Sequence, residues 1–213
     1  MGFLSDQDKQ EITKMLQEMV EPVKLIVFKS DANCTYCQET AMLMDEVSQL
    51  SDKLTLDIID VDQEKDKAEA YSIDKVPALV IEGKEDYGIR FFGIPAGYEF
   101  SAVLGDIIDV SRGDSGLAQR SRKELAKIDF PVRIQVFVTP SCPYCPTAVR
   151  MAHKFAIENE NIRGEMVEAQ EFPELAQRYE VYAVPKIVVN DEVEFEGALP
   201  EPHFVKQVLR ILK

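Results

Sequence analysis

Four cysteines stand in the chain as two pairs of identical internal spacing, Cys34-Thr35-Tyr36-Cys37 and Cys142-Pro143-Tyr144-Cys145. Two thiols with two residues between them can close on each other within a helical turn. They can also trap a foreign sulfur in a mixed disulfide and then release it. The competing chemistry is metal binding, because two such pairs can supply four thiolates to zinc. Zinc ribbons, however, separate their pairs by roughly 15–20 residues, and here 104 residues intervene. The expectation is therefore dithiol–disulfide exchange, with no metal and no cofactor beyond redox-active disulfides. Cys34 and Cys142 are the candidate nucleophiles, and Cys37 and Cys145 the resolving thiols.

A second landmark follows each pair. Val76-Pro77 and Val184-Pro185 each lie with the proline 43 positions after the first cysteine, and cysteines and Val-Pro steps alike recur at 108 residues. Such a period means two copies of one unit. A proline just before a strand and facing a CxxC pair is a candidate cis peptide, a form otherwise seen in only ~5–6% of X–Pro bonds. The repeated spacing selects it over the trans form. Val76 and Val184 would then offer backbone N–H and C=O groups to an extended substrate by strand addition.

The elements that must position these residues follow from periodicity. In the first copy the pattern predicts strand 24–29, helix 35–50, strand 54–60, a short helix 63–72, strands 78–82 and 88–93, and helix 98–110. The second repeats it as strand 132–138, helix 143–158, strand 162–168, helix 171–179, strands 186–189 and 193–196, and helix 201–212. An amphipathic helix leads each copy, at about 5–20 and 115–128. In strand 54–60, Leu54, Leu56 and Ile58 alternate as an inward row. The Gly/Ser-rich run Ser111–Gly116 marks the boundary, giving units 1–114 and 115–213. Strands interleaved with helices make each unit an α/β layer with a right-handed parallel crossover and a late antiparallel hairpin. The fold class is thus α/β: two tandem units, each a mixed central sheet flanked by helices.

This arrangement sets each cysteine pair after a strand and at a helix start, where unpaired N–H groups and the helix dipole stabilise a thiolate. The first cysteine is expected to be exposed and the second more buried. Pro143 suits a first turn. With Cys142 as the N-cap, Pro146 would delete the first intrahelical bond, so an irregular start is expected for the second helix.

Composition narrows the partners. Twenty-four basic against 38 acidic residues give a formal net charge of −14, which repels nucleic-acid backbones and anionic lipid. No apolar run is long enough to span a bilayer. The amino-terminal residues lack the basic and apolar regions of a secretory signal, so a cytoplasmic location is expected. Paired cysteines there point to redox chemistry.

The order strand, CxxC, helix, strand, helix, Val-Pro, hairpin and helix resembles the thioredoxin fold, and Cys142-Pro143-Tyr144-Cys145 resembles the glutaredoxin motif. Two such units in one chain resemble the glutaredoxin-like protein disulfide oxidoreductases of thermophilic archaea and bacteria. The resemblance implies reduction, oxidation and isomerisation of disulfides in protein substrates, with a thioredoxin-reductase-like flavoprotein upstream. The chain departs from thioredoxins in having Phe28 and Val136 where a buried acid stands before the motif. It departs from glutaredoxins in having Lys75-Val76-Pro77 and Ala183-Val184-Pro185 in place of Thr-Val-Pro, and single glycines Gly93 and Gly197. Protein partners are therefore favoured over glutathione. The alternative is an electron-relay module, because a similar tandem forms the amino-terminal part of the flavoprotein reductase of bacterial alkyl hydroperoxide reductase, passing electrons to a peroxiredoxin. In those proteins the first unit has typically lost its cysteines, whereas both pairs persist here.

Few other residues compete for roles. His153, eight positions after Cys145, is too far to pair with a helix-tip sulfur and reads as a surface or hydrogen-bonded residue. Tyr36 and Tyr144 either contact substrate or pack. Lys29 reads as an exposed strand-end lysine, and 57–66 as a solvated acidic stretch.

Overall fold

Ser5 starts the first helix by a capping box: its hydroxyl accepts the Asp8 N–H, and the Asp8 carboxylate accepts the Ser5 N–H. The computed structural model that shows this describes residues 2–32 and 34–213. The first half runs α1 (Asp6–Leu16), β1 (Val23–Lys29), α2 (Cys37–Ser48), β2 (Leu54–Asp60), α3 (Lys65–Ala70), β3 (Ala78–Glu82), β4 (Ile89–Phe92) and α4 (Phe100–Arg112). The second half runs α5 (Gln119–Leu125), β5 (Val132–Val138), α6 (Cys145–Glu158), β6 (Ile162–Glu168), α7 (Pro173–Arg178), β7 (Lys186–Val189), β8 (Val193–Glu196) and α8 (Glu201–Val208). Tight 3₁₀ turns at Gly97–Glu99 and Leu209–Leu212 precede α4 and follow α8. Gly113 ends α4 in the left-handed region, where a residue without Cβ carries no penalty.

The predicted order of elements holds throughout, with helix ends drawn in by a few residues. Each half forms a mixed four-stranded sheet, and the two are not separate. β4 pairs in parallel with β6 from Ile89↔Gly164 to Phe92↔Val167. One eight-stranded sheet results, in the order β2-β1-β3-β4-β6-β5-β7-β8. Helices α1, α2, α4, α5, α6 and α8 cover one face, over Leu25, Val27, Leu79, Phe91, Ile134, Val136 and Ile187. The shorter α3 and α7 cover the other, over Ile26, Phe28, Val80, Phe92, Phe137 and Val188. Both faces are buried, so the central strands read as nearly continuous apolar runs. The expected inward row in β2 fails at one end. Ile58 is exposed on this edge strand, and Ile59, on the opposite face, is buried in the cluster that includes Ala68 of α3.

Strand direction decides where chemistry can sit. β1, β4, β6 and β5 all end at the edge of the sheet where β3 and β7 begin. Both cysteine pairs and both Val-Pro steps therefore lie at the same end of the molecule. β1 and β5 are four strand spacings apart, or ~19 Å at ~4.8 Å each.

Candidate active site

Each CxxC pair is closed as a disulfide, with Cα atoms 5.5 Å apart. The helices begin at the second cysteine of each pair, with Tyr36 and Tyr144 in the N-cap positions. This corrects the expected starts at 35 and 143. It also corrects the expected damage from Pro146, which is the second helical residue. The N–H it lacks has no intrahelical partner in any helix, so the start of α6 is regular.

The order of burial within each pair is as expected, with a difference of degree. Cys34 is partly buried over a fully covered Cys37, and Cys142 over Cys145. Cys142 is only 7% exposed, so it is a covered sulfur rather than the exposed one expected. Its cover comes from the second Val-Pro loop, whose Val184 carbonyl oxygen lies 3.7 Å from Cys142 Sγ. Val76-Pro77 and Val184-Pro185 are both cis. Gly93 N–H donates to the Pro77 carbonyl and Gly197 N–H to the Pro185 carbonyl, each at 2.9 Å.

Backbone donors reach different sulfurs at the two sites. At the second, the Cys145 N–H, first of α6, points at Cys142 Sγ at 3.2 Å. In the thiol–thiolate form this places a hydrogen bond and the positive helix end against the nucleophile's charge. At the first, Ser30 N–H points instead at Cys37 Sγ, at 3.4 Å. Among the described residues no donor reaches Cys34. Lys29 pairs with Asp31 at 2.6 Å, so its charge is engaged. Lys75 lies with its ammonium 3.6 Å from the centre of the Phe92 ring and pairs with Asp74. Tyr36 and Tyr144 both stand out in solvent, which removes the packing reading for them.

Buried carboxyl groups that no sequence motif marks gather at this end of the sheet. Glu99, on the 3₁₀ turn before α4, is fully covered, and neither carboxyl oxygen has a hydrogen-bond partner. Burial pushes its pKa up to about 8, with the like charge of Asp106 adding to the rise. The turn is held against the second site: Tyr98 N–H donates to the Pro140 carbonyl at 3.1 Å, two residues before Cys142. Gly97 is required there, since it has φ of +63° and a Cβ would stand 2.3 Å from the Pro140 oxygen. Glu171 is pushed by burial up to about 7, although its Oε1 accepts the Ile94 N–H at 2.6 Å. Neighbouring Glu168 is also raised by burial.

A polar network ties the second-site helix to the first half of the chain. Arg150 of α6 donates to Asp106 at 2.9 Å and to Asp109 at 2.8 Å on α4. His153 is fully buried, with Nδ1 2.6 Å from Asp106 Oδ2 and Nε2 3.3 Å from the Arg90 carbonyl oxygen. His153 is thus the hydrogen-bonded residue it was read to be, but inside the molecule. Only the pairing of the two halves could have revealed these partners, which lie more than 40 residues away.

Among the described residues, no helix is long and apolar enough to cross a membrane. A family model described as a thioredoxin domain matches twice, at residues 23–104 and 132–210. A protein disulfide oxidoreductase from Aeropyrum pernix superposes with a TM-score of 0.90 at 34% identity, covering 96% of this chain and 91% of that one. The alkylhydroperoxide reductase AhpF of Enterococcus faecalis, as a C503A mutant, superposes with a TM-score of 0.88 at 25% identity, covering 97% and 99%. The chain is 25% identical over 191 residues to an alkyl hydroperoxide reductase protein of Pseudomonas aeruginosa, covering 90% of this chain and 34% of that protein. It thus spans about a third of the length of the curated relatives it matches.

Proposed function

The chain belongs to the thioredoxin family, and we propose that it is a tandem glutaredoxin-like protein disulfide oxidoreductase that exchanges thiols and disulfides with protein substrates at both CxxC sites. In reduction, the Cys142 thiolate attacks one sulfur of a substrate disulfide. The S–S bond breaks, one substrate thiolate leaves, and a mixed disulfide forms. Cys145 then attacks Cys142 Sγ, freeing the second substrate thiol and closing the Cys142–Cys145 disulfide. Two electrons pass to the substrate and its two sulfurs take up two protons. Oxidation is the same sequence in reverse, and isomerisation begins with the same attack. Cys34 and Cys37 act likewise on substrate or relay electrons to the second pair.

The observation that carries this reading is the Cys142 sulfur, held by the Cys145 N–H on one side and the Val184 carbonyl on the other. Val184-Pro185 and Val76-Pro77 are the proposed substrate-strand contacts of the two sites. Glu99, its pKa raised by burial to about 8, is the proposed proton carrier for the resolving thiol. Its ionised fraction accepts the Cys145 proton as the mixed disulfide is resolved, and the acid form returns it in the oxidising direction. The division into units 1–114 and 115–213, a cytoplasmic setting, an upstream thioredoxin-reductase-like flavoprotein and the absence of any cofactor belong to the same proposal.

Likeness to the alkyl hydroperoxide reductase proteins of Pseudomonas aeruginosa and Enterococcus faecalis favours a second reading, relay of electrons from a flavoprotein to a peroxiredoxin. Insulin-disulfide reduction driven by dithiothreitol separates the two. General activity on insulin supports the oxidoreductase reading. Activity confined to one flavoprotein–peroxiredoxin pair supports the relay, and activity in neither assay overturns both.

A further inference from the structure

Three exposed tyrosines sit on the backbone segments that meet at the second disulfide. Tyr144, between the cysteines, is 69% exposed, Tyr182 is 89% exposed and Tyr98 is 53% exposed. Tyr144 is two residues from Cys142. Tyr182 is two residues before Val184, whose carbonyl lies against Cys142 Sγ. Tyr98 arrives from the other half of the chain, its N–H bonded to the Pro140 carbonyl two residues before Cys142. A folded protein gains nothing by leaving three large rings wet, yet tyrosine is the side chain that supplies most contact area for least lost freedom when a partner covers it.

The first site carries no such rim. One repeat period earlier, Tyr182 becomes Asp74 and Tyr144 becomes Tyr36. Asp31, Asp74 and Lys75 flank that sulfur pair, two of them exposed and all charged.

We propose that Tyr98, Tyr144 and Tyr182 form a recognition rim that selects extended polypeptide segments with apolar or aromatic side chains beside their cystine. Three features of the structure fix the occupant. It must bring a sulfur to Cys142. It must run beside Val184, whose N–H enters no backbone hydrogen bond among the described residues and stays free to pair with a strand. Its flanking residues then fall on uncharged rings rather than on the acidic surface of a chain carrying −14. The rim deepens the exchange reading of Cys142 and rests on it.

The test uses the full chain carrying Cys34→Ser and Cys37→Ser, so that only the second site turns over. Two disulfide-linked peptides serve as probes, alike except for Phe and Leu or Asp and Ser beside the cysteine. The expected result is a preference of roughly tenfold in kcat/KM for the apolar peptide, and a loss of about fivefold of that preference in Y182A and in Y98A, a hot-spot-sized effect. The loss falls on KM, with kcat retained. V20A, an equally exposed apolar residue before β1 at the opposite end of the sheet, keeps the full preference. An unchanged preference in the Y98A/Y182A double variant overturns the rim while the exchange reading stands. If the parent protein reduces neither peptide nor 2-hydroxyethyl disulfide, the exchange reading falls and the rim with it.

Discussion

At the carboxyl-terminal cysteine pair the leading N–H of α6 faces the nucleophilic sulfur; at the amino-terminal pair a loop N–H faces the resolving one. The spacing, the strand before and the cis Val-Pro after are common to both. What differs is supplied from outside the motif: Glu99 and Tyr98 from the other half of the chain at one site, the charged Lys29–Asp31 and Lys75–Asp74 pairs at the other. A repeated motif fixes the kind of chemistry, while its setting in the joined sheet fixes which copy is tuned for it.

The largest effect expected from breaking this asymmetry comes from the nucleophile itself. Cys142→Ser should lower insulin-disulfide reduction ~10³-fold, about 4 kcal/mol of transition-state stabilisation. Cys34→Ser should leave most of the activity. Full activity in Cys142→Ser with Cys34→Ser inactive would reverse the ranking of the sites.

Next comes the tie between α6 and α4. Arg150 has Met42 as its counterpart in α2, and Met42 is exposed. Arg150→Met strips Asp106 and Asp109 of their guanidinium partner, and chemical denaturation should register a loss of about 3 kcal/mol. Met42→Ala should cost under ~0.5 kcal/mol, the range of ordinary surface changes. Equal costs would mean that the two helices are held alike.

Glu99 gives a smaller effect with a definite sign. The folded chain binds this proton more tightly than the unfolded chain, whose glutamate titrates at the ordinary 4.5. Its contribution is complete below pH 4.5 and is lost as pH rises toward about 8. Glu99→Gln should flatten the decline of stability between those limits, by a few kcal/mol at most. It should also remove a proton-linked limb from the pH profile of second-site turnover, slowing it roughly 10²-fold near neutrality, the low end of the range for a lost acid–base group. A profile and a stability curve unchanged by the substitution would leave Glu99 without a role.

The fold is legible in the sequence because its signals are local. CxxC spacing, Val-Pro steps and apolar runs lie within each copy, and the 108-residue period repeats them. The edge-to-edge joining of the halves is not legible. β4 and β6 look the same whether they lie at an edge or in the interior, and pairing between sequence-distant strands leaves no short-range mark. Everything that depends on the joining is hidden for the same reason. Glu99 reads as an ordinary polar residue at a helix start, and His153 as one polar position on an amphipathic helix. Their burial comes from the other half of the chain. Pro146 looks damaging only when the helix is started at the first cysteine. A start at the second makes the proline unremarkable.

The inequivalence of the two disulfides is tested most directly by their reduction potentials. Each pair is isolated by Cys→Ser substitution of both cysteines of the other, and the remaining disulfide is titrated in glutathione redox buffers. A thiolate stabilised by the Cys145 N–H favours the reduced form, so the second pair should titrate at the higher, more oxidising potential. The difference should be at least ~30 mV, a tenfold ratio of equilibrium constants. Coincident midpoints, or a higher potential at Cys34–Cys37, would contradict the account.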